Sequence, residues 1–130
     1  MGLSIKQVSE RYGISADTIR YYEKVGVIPP INRNASGVRD FNQQDISWVE
    51  HAKCMRSAGL AVDGLIRYLE LYQQGSSTFQ ERLELLTEQR NELVAQYKQL
   101  DETIARLNYK ISCYEEAVRT GELVWERKAD

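Results

Sequence analysis

Cys54 is the residue whose type and neighbours most directly suggest chemistry. His51 stands three residues before it, Lys53 directly before it, and Arg56 two residues after it. Basic neighbours stabilise a thiolate, which is the nucleophilic form of cysteine. These residues make Cys54 a candidate for reaction with an electrophile. The alternative is an inert cysteine that packs against the helix of a partner chain.

Metal binding and catalysis find little support elsewhere in the sequence. The chain has two cysteines and no CxxC pair, so a sequence-local zinc site is excluded and a disulfide framework is not expected. The second cysteine, Cys113, stands alone. We discern no acid–base pair and no nucleophile triad. We therefore expect no enzyme activity, no cofactor and no metal.

A second group of polar side chains suits the recognition of DNA. Arginine can fork onto the O6 and N7 atoms of guanine, whereas tyrosine and lysine hold phosphates. The candidate DNA-binding residues are Ser15, Thr18, Arg20, Tyr21, Lys24, Arg33 and Arg39. Of two adjacent helical tyrosines one should face inward, so we assign Tyr21 to DNA and Tyr22 to the core.

Short helices with recognisable ends must position this group. A capping box at Ser4 begins the first helix, and Gly13 ends it. Ser15 caps a second helix, which continues to about Val25. A short link that contains a glycine is typical of a helix-turn-helix.

Residues 27–42 predict a small β-hairpin, the wing. Pro29 and Pro30 exclude a helix, residues 34–37 form a turn cluster, and residues 38–41 alternate apolar and polar. Arg33 and Arg39 bracket the turn, from which they would reach the flanking backbone or the minor groove. For Arg39 the alternative is a solvated charge. Two more helices are predicted, from Asn42 to about residue 58 and over 62–72.

The charge is unevenly divided along the 130 residues. Residues 1–39 contain six basic and three acidic side chains, whereas residues 77–130 contain eight basic and eleven acidic ones. The N-terminal part is thus net positive and the C-terminal part net negative. This distribution fits a protein that binds a polyanion at one end only. The start has no signal-peptide pattern, and we find no apolar run of about 20 residues that would span a membrane. We expect a cytoplasmic protein without a membrane partner.

The last segment has a regular heptad pattern. Apolar or aromatic residues recur with alternating spacings of four and three from Phe79 to Val118, interrupted at Arg90. The seam residues that we assign to the dimer contact are Leu83, Leu86, Leu93, Tyr97, Leu100, Ile104, Leu107 and Ile111. Such a pattern indicates a coiled coil, and the simplest partner is a second copy of the chain.

Residues 18–41 resemble the MerR family of transcriptional regulators. The resemblance lies in Thr-Ile-Arg-Tyr-Tyr-Glu-Lys-Val-Gly at 18–26, Ile-Pro-Pro at 28–30, Arg33, and Gly-Val-Arg-Asp-Phe at 37–41. Phe41 replaces the tyrosine that is usual in the family. The resemblance implies an antiparallel homodimer that binds double-stranded promoter DNA with an overlong spacer. Bending and untwisting of that DNA would then allow RNA polymerase to engage, so polymerase is an indirect partner.

The run Lys-Cys-Met-Arg-Ser-Ala-Gly-Leu at 53–60 resembles the branch of this family that responds to aldehydes and other electrophiles, the NmlR- and AdhR-like regulators. The resemblance implies that Cys54 is the sensor. Metal-sensing members carry several cysteines, which disfavours that role here. The open alternatives are a regulator that responds to a non-covalent ligand, and a coiled-coil adaptor or architectural protein.

The sequence thus predicts a mainly α fold, with a winged helix-turn-helix head and a long dimerisation helix. The expected divisions are a DNA-binding domain at 1–75, the coiled-coil helix at 76–120, and a short tail at 121–130.

The seam predicts that Ile104→Pro abolishes dimerisation. Proline breaks a helix interior at a cost of about 3 kcal/mol or more and here also interrupts the seam. Light scattering measures the mass of both proteins. A wild-type chain that is monomeric at micromolar concentration contradicts the coiled coil.

Overall fold

The computed structural model describes residues 2–125, which are mainly helical, as the sequence predicts. The α-helices of this part are α1 (Ile5–Tyr12), α2 (Ala16–Val25), α3 (Gln43–Ser57), α4 (Val62–Gln73) and α5 (Phe79–Thr120). A 3-10 turn, Ser76–Thr78, stands between α4 and α5. None of the described helices is both long enough and apolar enough to cross a membrane.

Side-chain caps fix where the first three helices begin. Ser4 and Gln7 form a reciprocal capping box at α1, since each side chain bonds the backbone amide of the other residue. Asn42 and Asp45 do the same at α3. Such caps satisfy amides that the first helical turn leaves without a partner. They explain why these helix starts are readable from the sequence.

The helix-turn-helix depends on Gly13. Its φ of 65° places it in the left-handed region, which glycine adopts without a Cβ clash, and its amide donates to the carbonyl of Ser9. The chain then turns, and Ser15 starts α2.

One apolar core holds α1, α2, α3 and α4 together. Ile19 from α2 and Phe41 from the segment before α3 are both fully buried. The other buried members of the core are Val8, Val27, Ile28, Ile31, Ile46, Val49, Ala52 and Leu65. Burial of a large apolar side chain such as Phe41 stabilises a fold by roughly 1.5–3 kcal/mol.

The segment between α2 and α3 is less regular than the predicted wing. It contains isolated antiparallel bridges, Arg33 to Arg39 and Phe41 to Leu3, and no regular strand lies among residues 2–125. The Asn34 carboxamide explains part of this irregularity, because its Oδ1 accepts the amides of Ser36 and Val38. The segment does reverse direction where the hairpin is predicted, but a regular β-hairpin is not observed. We call residues 32–40 the wing loop below.

The chain forms two compact units, one up to Gln89 and one from Arg90 onward. The first contains α1 to α4 and the first turns of α5. In the second, the chain turns back after α5 at Gly121, whose φ is 84°. Trp125 then lies 6.3 Å from Tyr109 and 5.8 Å from Tyr114, measured between ring centroids.

Candidate nucleic-acid interface and thiol site

The N-terminal turn of α2 contains two of the predicted DNA-binding residues. The Ser15 hydroxyl accepts a hydrogen bond from the Thr18 amide at 3.1 Å and donates one to the Thr18 hydroxyl at 2.8 Å. Ser15 is exposed and Thr18 is half-buried. Ser15 is therefore the cap of α2, and its side chain is held by Thr18.

The outward face of α2 presents Arg20, Tyr21 and Lys24, all exposed. Arg20 pairs with Asp17 at 2.9 Å on the same helix. Exposed ion pairs of this kind stabilise little, so the guanidinium can exchange Asp17 for another acceptor. Tyr22 packs against the core while Tyr21 is half exposed, which confirms the inward and outward assignment of the two tyrosines.

Glu23, on the same helix, was missed by the sequence reasoning. Its two carboxylate oxygens hold two points of the following segment: Oε1 accepts from Arg39 Nε at 2.7 Å, and Oε2 accepts from the Ile31 amide at 2.8 Å. Burial alone raises the pKa of Glu23, but the bonds from Ile31 and Arg39 outweigh it and place that pKa below its usual value. Glu23 therefore ties the wing loop to α2.

The two arginines of the wing loop have different environments. Arg33 is exposed, and its Nη1 donates to the Gly37 carbonyl at 2.8 Å near the tip of the loop. Arg39 is about one-quarter exposed and is bound to Glu23. Arg39 is therefore not the solvated charge of the alternative interpretation. Contact of either arginine with DNA stays a prediction.

Cys54 lies on the exposed side of α3, near its end. Ala52, two residues earlier, is fully buried, and Met55 packs against the core. This confirms that Cys54 is off the apolar stripe of the helix. The thiol is accessible to a reagent.

The basic neighbours of Cys54 are not all available to stabilise a thiolate. Burial lowers the pKa of His51, which disfavours the cationic form of this imidazole. Arg56 donates from Nη1 to the Leu60 carbonyl at 2.6 Å, which closes the end of α3. His51 therefore gives a thiolate less support than its residue type suggests, and its effect on Cys54 stays a prediction. Lys53 remains exposed beside the thiol.

His51 instead belongs to an aromatic cluster that spans α3 and α4. Its ring lies 5.9 Å from Trp48 and 5.4 Å from Tyr68, and Trp48 meets Tyr72 edge-on at 5.1 Å. Together with Gln44 and Ser47, these four side chains line a cavity of about 220 Å³. The spacing of three between Trp48 and His51 and of four between Tyr68 and Tyr72 was the available signal for this cluster.

The seam side chains of α5 are exposed in the single chain. Leu93 is half-buried, and the exposure of the other seam residues assigned to the dimer contact ranges from 40% for Leu86 to 70% for Tyr97. A contiguous apolar stripe of this kind marks an interaction surface. Cys113 is off this stripe and is buried, next to Tyr109, Ser112 and Val124. The described residues contain no group of three side chains placed to hold a metal ion.

A helix-turn-helix head whose second helix exposes Arg20, Tyr21 and Lys24, followed by a long helix with an apolar seam, defines a class of DNA-binding regulators. Two family models match the chain: MerR HTH family regulatory protein over residues 3–71, and MerR, DNA binding over residues 47–109. The chain belongs to the MerR family. It is a DNA-binding transcriptional regulator and not an enzyme.

Individual relatives agree with this assignment. The HTH-type transcriptional regulator AdhR of Bacillus subtilis is 45% identical over 92 residues, which are 71% of this chain and 66% of AdhR. A MerR family regulator from Listeria monocytogenes has a solved structure with a TM-score of 0.87 and 46% identity, over 92% of this chain and 91% of that one. HiNmlR, a MerR family regulator lacking the sensor domain and solved bound to promoter DNA, has a TM-score of 0.83. It is 30% identical, over 95% of this chain and 98% of that one.

The Glu23 contacts predict a pH-dependent stability. Because the fold lowers the Glu23 pKa, its contribution is full above the ordinary glutamate pKa of about 4.3 and is lost as the pH falls through the folded value. Glu23→Gln should lower the free energy of unfolding by roughly 1–3 kcal/mol at pH 7, as expected for the loss of hydrogen bonds to a charged group. Urea unfolding at pH 7 and at steps toward pH 3 measures the difference from wild type.

We expect this difference to shrink toward pH 3. The control is Glu10→Gln on the exposed face of α1. If Glu23→Gln lowers the free energy of unfolding by the same amount at pH 7 and at pH 3, the charge of Glu23 does not hold the wing loop.

Proposed function

We propose that this regulator binds promoter DNA as a homodimer and distorts it to control access of RNA polymerase, in response to electrophiles that react with Cys54. The exposed face of α2 is the observation that supports DNA binding. It presents Arg20, Tyr21 and Lys24 side by side on a helix that packs against the core. A helix about 10 Å wide fits the major groove. The similar structure of HiNmlR was solved bound to promoter DNA, which supports DNA binding by this chain. A role on chromosomal DNA places the protein in the cytoplasm.

The exposed seam supports the homodimer. An α5 of 42 residues is about 60 Å long at 1.5 Å per residue, so its apolar stripe needs a partner of similar length. A second α5 offers the same stripe and the same length. We accordingly retain residues 1–75 as the DNA-binding domain, 76–120 as the dimerisation helix and 121–130 as a tail.

Exposure and sequence context support Cys54 as the sensor. An aldehyde adds to a thiolate when the sulfur forms a bond to the carbonyl carbon. The π electrons then move to the oxygen, which takes up a proton to give a hemithioacetal. This step needs no metal and no second domain. The resemblance of residues 53–60 to the electrophile-responsive branch points to the same residue.

A non-covalent ligand is the second candidate for the effector. The observation that favours it is the aromatic cavity of α3 and α4, which lies beside Ser47 and His51, on the same side of α3 as Cys54. The coiled-coil adaptor, in contrast, would bind DNA only weakly and with strong salt dependence, without sequence preference.

The α2 face predicts different effects for two arginines. Arg20→Ala should cost about 1–3 kcal/mol of affinity for the cognate operator and relax base preference, because a fork onto guanine is lost. Arg39→Ala should weaken binding more evenly across sequences, since it loosens the wing loop from Glu23. Titrations of operator and mutated operators at fixed salt measure both. Arg106→Ala, an exposed arginine of α5, is the control, and unchanged affinity in both head variants contradicts the interface.

The thiol hypothesis predicts that Cys54→Ser removes the response and nothing else. Serine retains size and hydrogen bonding but is a much weaker nucleophile, so folding, dimerisation and operator binding should be normal. Transcription in vitro with and without formaldehyde or methylglyoxal measures the response, and intact mass detects the adduct. Cys113→Ser is the matched control and should respond like wild type. Full activation of Cys54→Ser would favour the non-covalent ligand.

A further inference from the structure

The connection between α4 and α5 is short and is stabilised by hydrogen bonds. Gly75 has a φ of 90°, and the chain passes through the 3-10 turn Ser76–Thr78 before α5 begins. Thr78 is 3% exposed. Its hydroxyl lies 2.6 Å from the Leu71 carbonyl and 2.8 Å from the Gly75 carbonyl, so its proton is directed back to α4 and the turn.

Arg82, one turn into α5, fastens the same junction from the other side. Its Nε donates to the Thr78 hydroxyl at 2.9 Å, and its Nη2 donates to the Gly75 carbonyl at 2.6 Å. The guanidinium carbon lies 5.2 Å from the ring centre of Tyr72 and 4.8 Å from that of Phe79. Both distances are within the range of cation–π attraction. Arg82 thus bonds the turn and contacts a ring of α4 and a ring of α5 at once.

Tyr72 extends this contact to α3. It meets Trp48 edge-on at 5.1 Å within the aromatic cluster, so Arg82 attaches the start of α5 to the surface formed by α3 and α4. A second connection is weaker: Arg67 and Glu81 pair at 3.6 Å, and both side chains are about half exposed. Exposed pairs contribute little rigidity. The junction therefore depends on Arg82 more than on the ion pair.

We propose that Arg82 is the positioning residue that fixes the direction in which α5 leaves the head. In a homodimer joined through α5, that direction sets the distance and angle between the two DNA-binding surfaces. The proposal rests on the homodimer of the proposed function. Its consequence is that Arg82 controls which separation of DNA half-sites the dimer accepts, although it lies on neither the DNA-binding nor the seam surface.

The preferred half-site spacing tests this proposal, because a residue that only stabilises the fold would not change that preference. The operator is obtained by selection of random duplexes with the wild-type protein, and its two half-sites are then placed at increasing separations. Because two rigidly held heads meet only one spacing, wild type should prefer one separation strongly. Arg82→Lys keeps the charge but loses the planar fork, and Arg82→Met keeps the length but loses the charge. Arg67→Met is the matched control on the other α4–α5 contact.

We expect both Arg82 variants to bind the best spacing less tightly and the other spacings nearly as well, so that the preference is lost. Arg67→Met should keep the wild-type preference. Circular dichroism and light scattering establish that each variant folds and dimerises; should Arg82→Met fail to fold, Arg82→Lys decides. A preference that persists in the Arg82 variants, or an affinity that falls equally at all spacings, overturns the proposal. A wild-type dimer without spacing preference also overturns it, whereas a wild-type protein that light scattering shows to be monomeric contradicts the homodimer of the proposed function instead.

Discussion

The burial of Ile19 in the core of the head is the contact on which the DNA-binding surface depends. A helix has one rotational setting once one of its faces is fixed, so insertion of Ile19 and the inward packing of Tyr22 decide what the opposite face presents. Arg20, Tyr21 and Lys24 face solvent for this reason. The chemistry of the surface is thus a consequence of apolar packing behind it.

The same helix also organises the segment that follows it. Glu23 accepts hydrogen bonds from Ile31 and Arg39, which are far enough along the chain that no local pattern connects them. Since the wing loop has few backbone bridges of its own, this carboxylate supplies much of its attachment to α2. Glu23 therefore joins α2 to the wing loop and to the residue before it.

Much of the fold was predictable because its signals are local. These signals act within a few residues of one another. They are the helix caps Ser15 and Asn42, the helix end at Gly13 and the heptad spacing of α5. The contacts that were not predicted join distant residues. The lowered pKa of His51 follows from burial in the folded chain, and the role of Arg82 follows from a turn and two rings that meet only there. The predicted hairpin stays unconfirmed: residues 33 and 39 form an antiparallel bridge, but Asn34 takes up amides that a longer β-ladder would use.

The return of the chain after Gly121 has an optical consequence. The two tryptophans of the sequence fall in different units, Trp48 in the aromatic cluster of the head and Trp125 against Tyr109 and Tyr114. Indole emission depends on the polarity and the quenching groups around each ring. Each compact unit therefore contains one tryptophan. When either tryptophan is replaced by phenylalanine, the remaining tryptophan emission reports on the other unit alone.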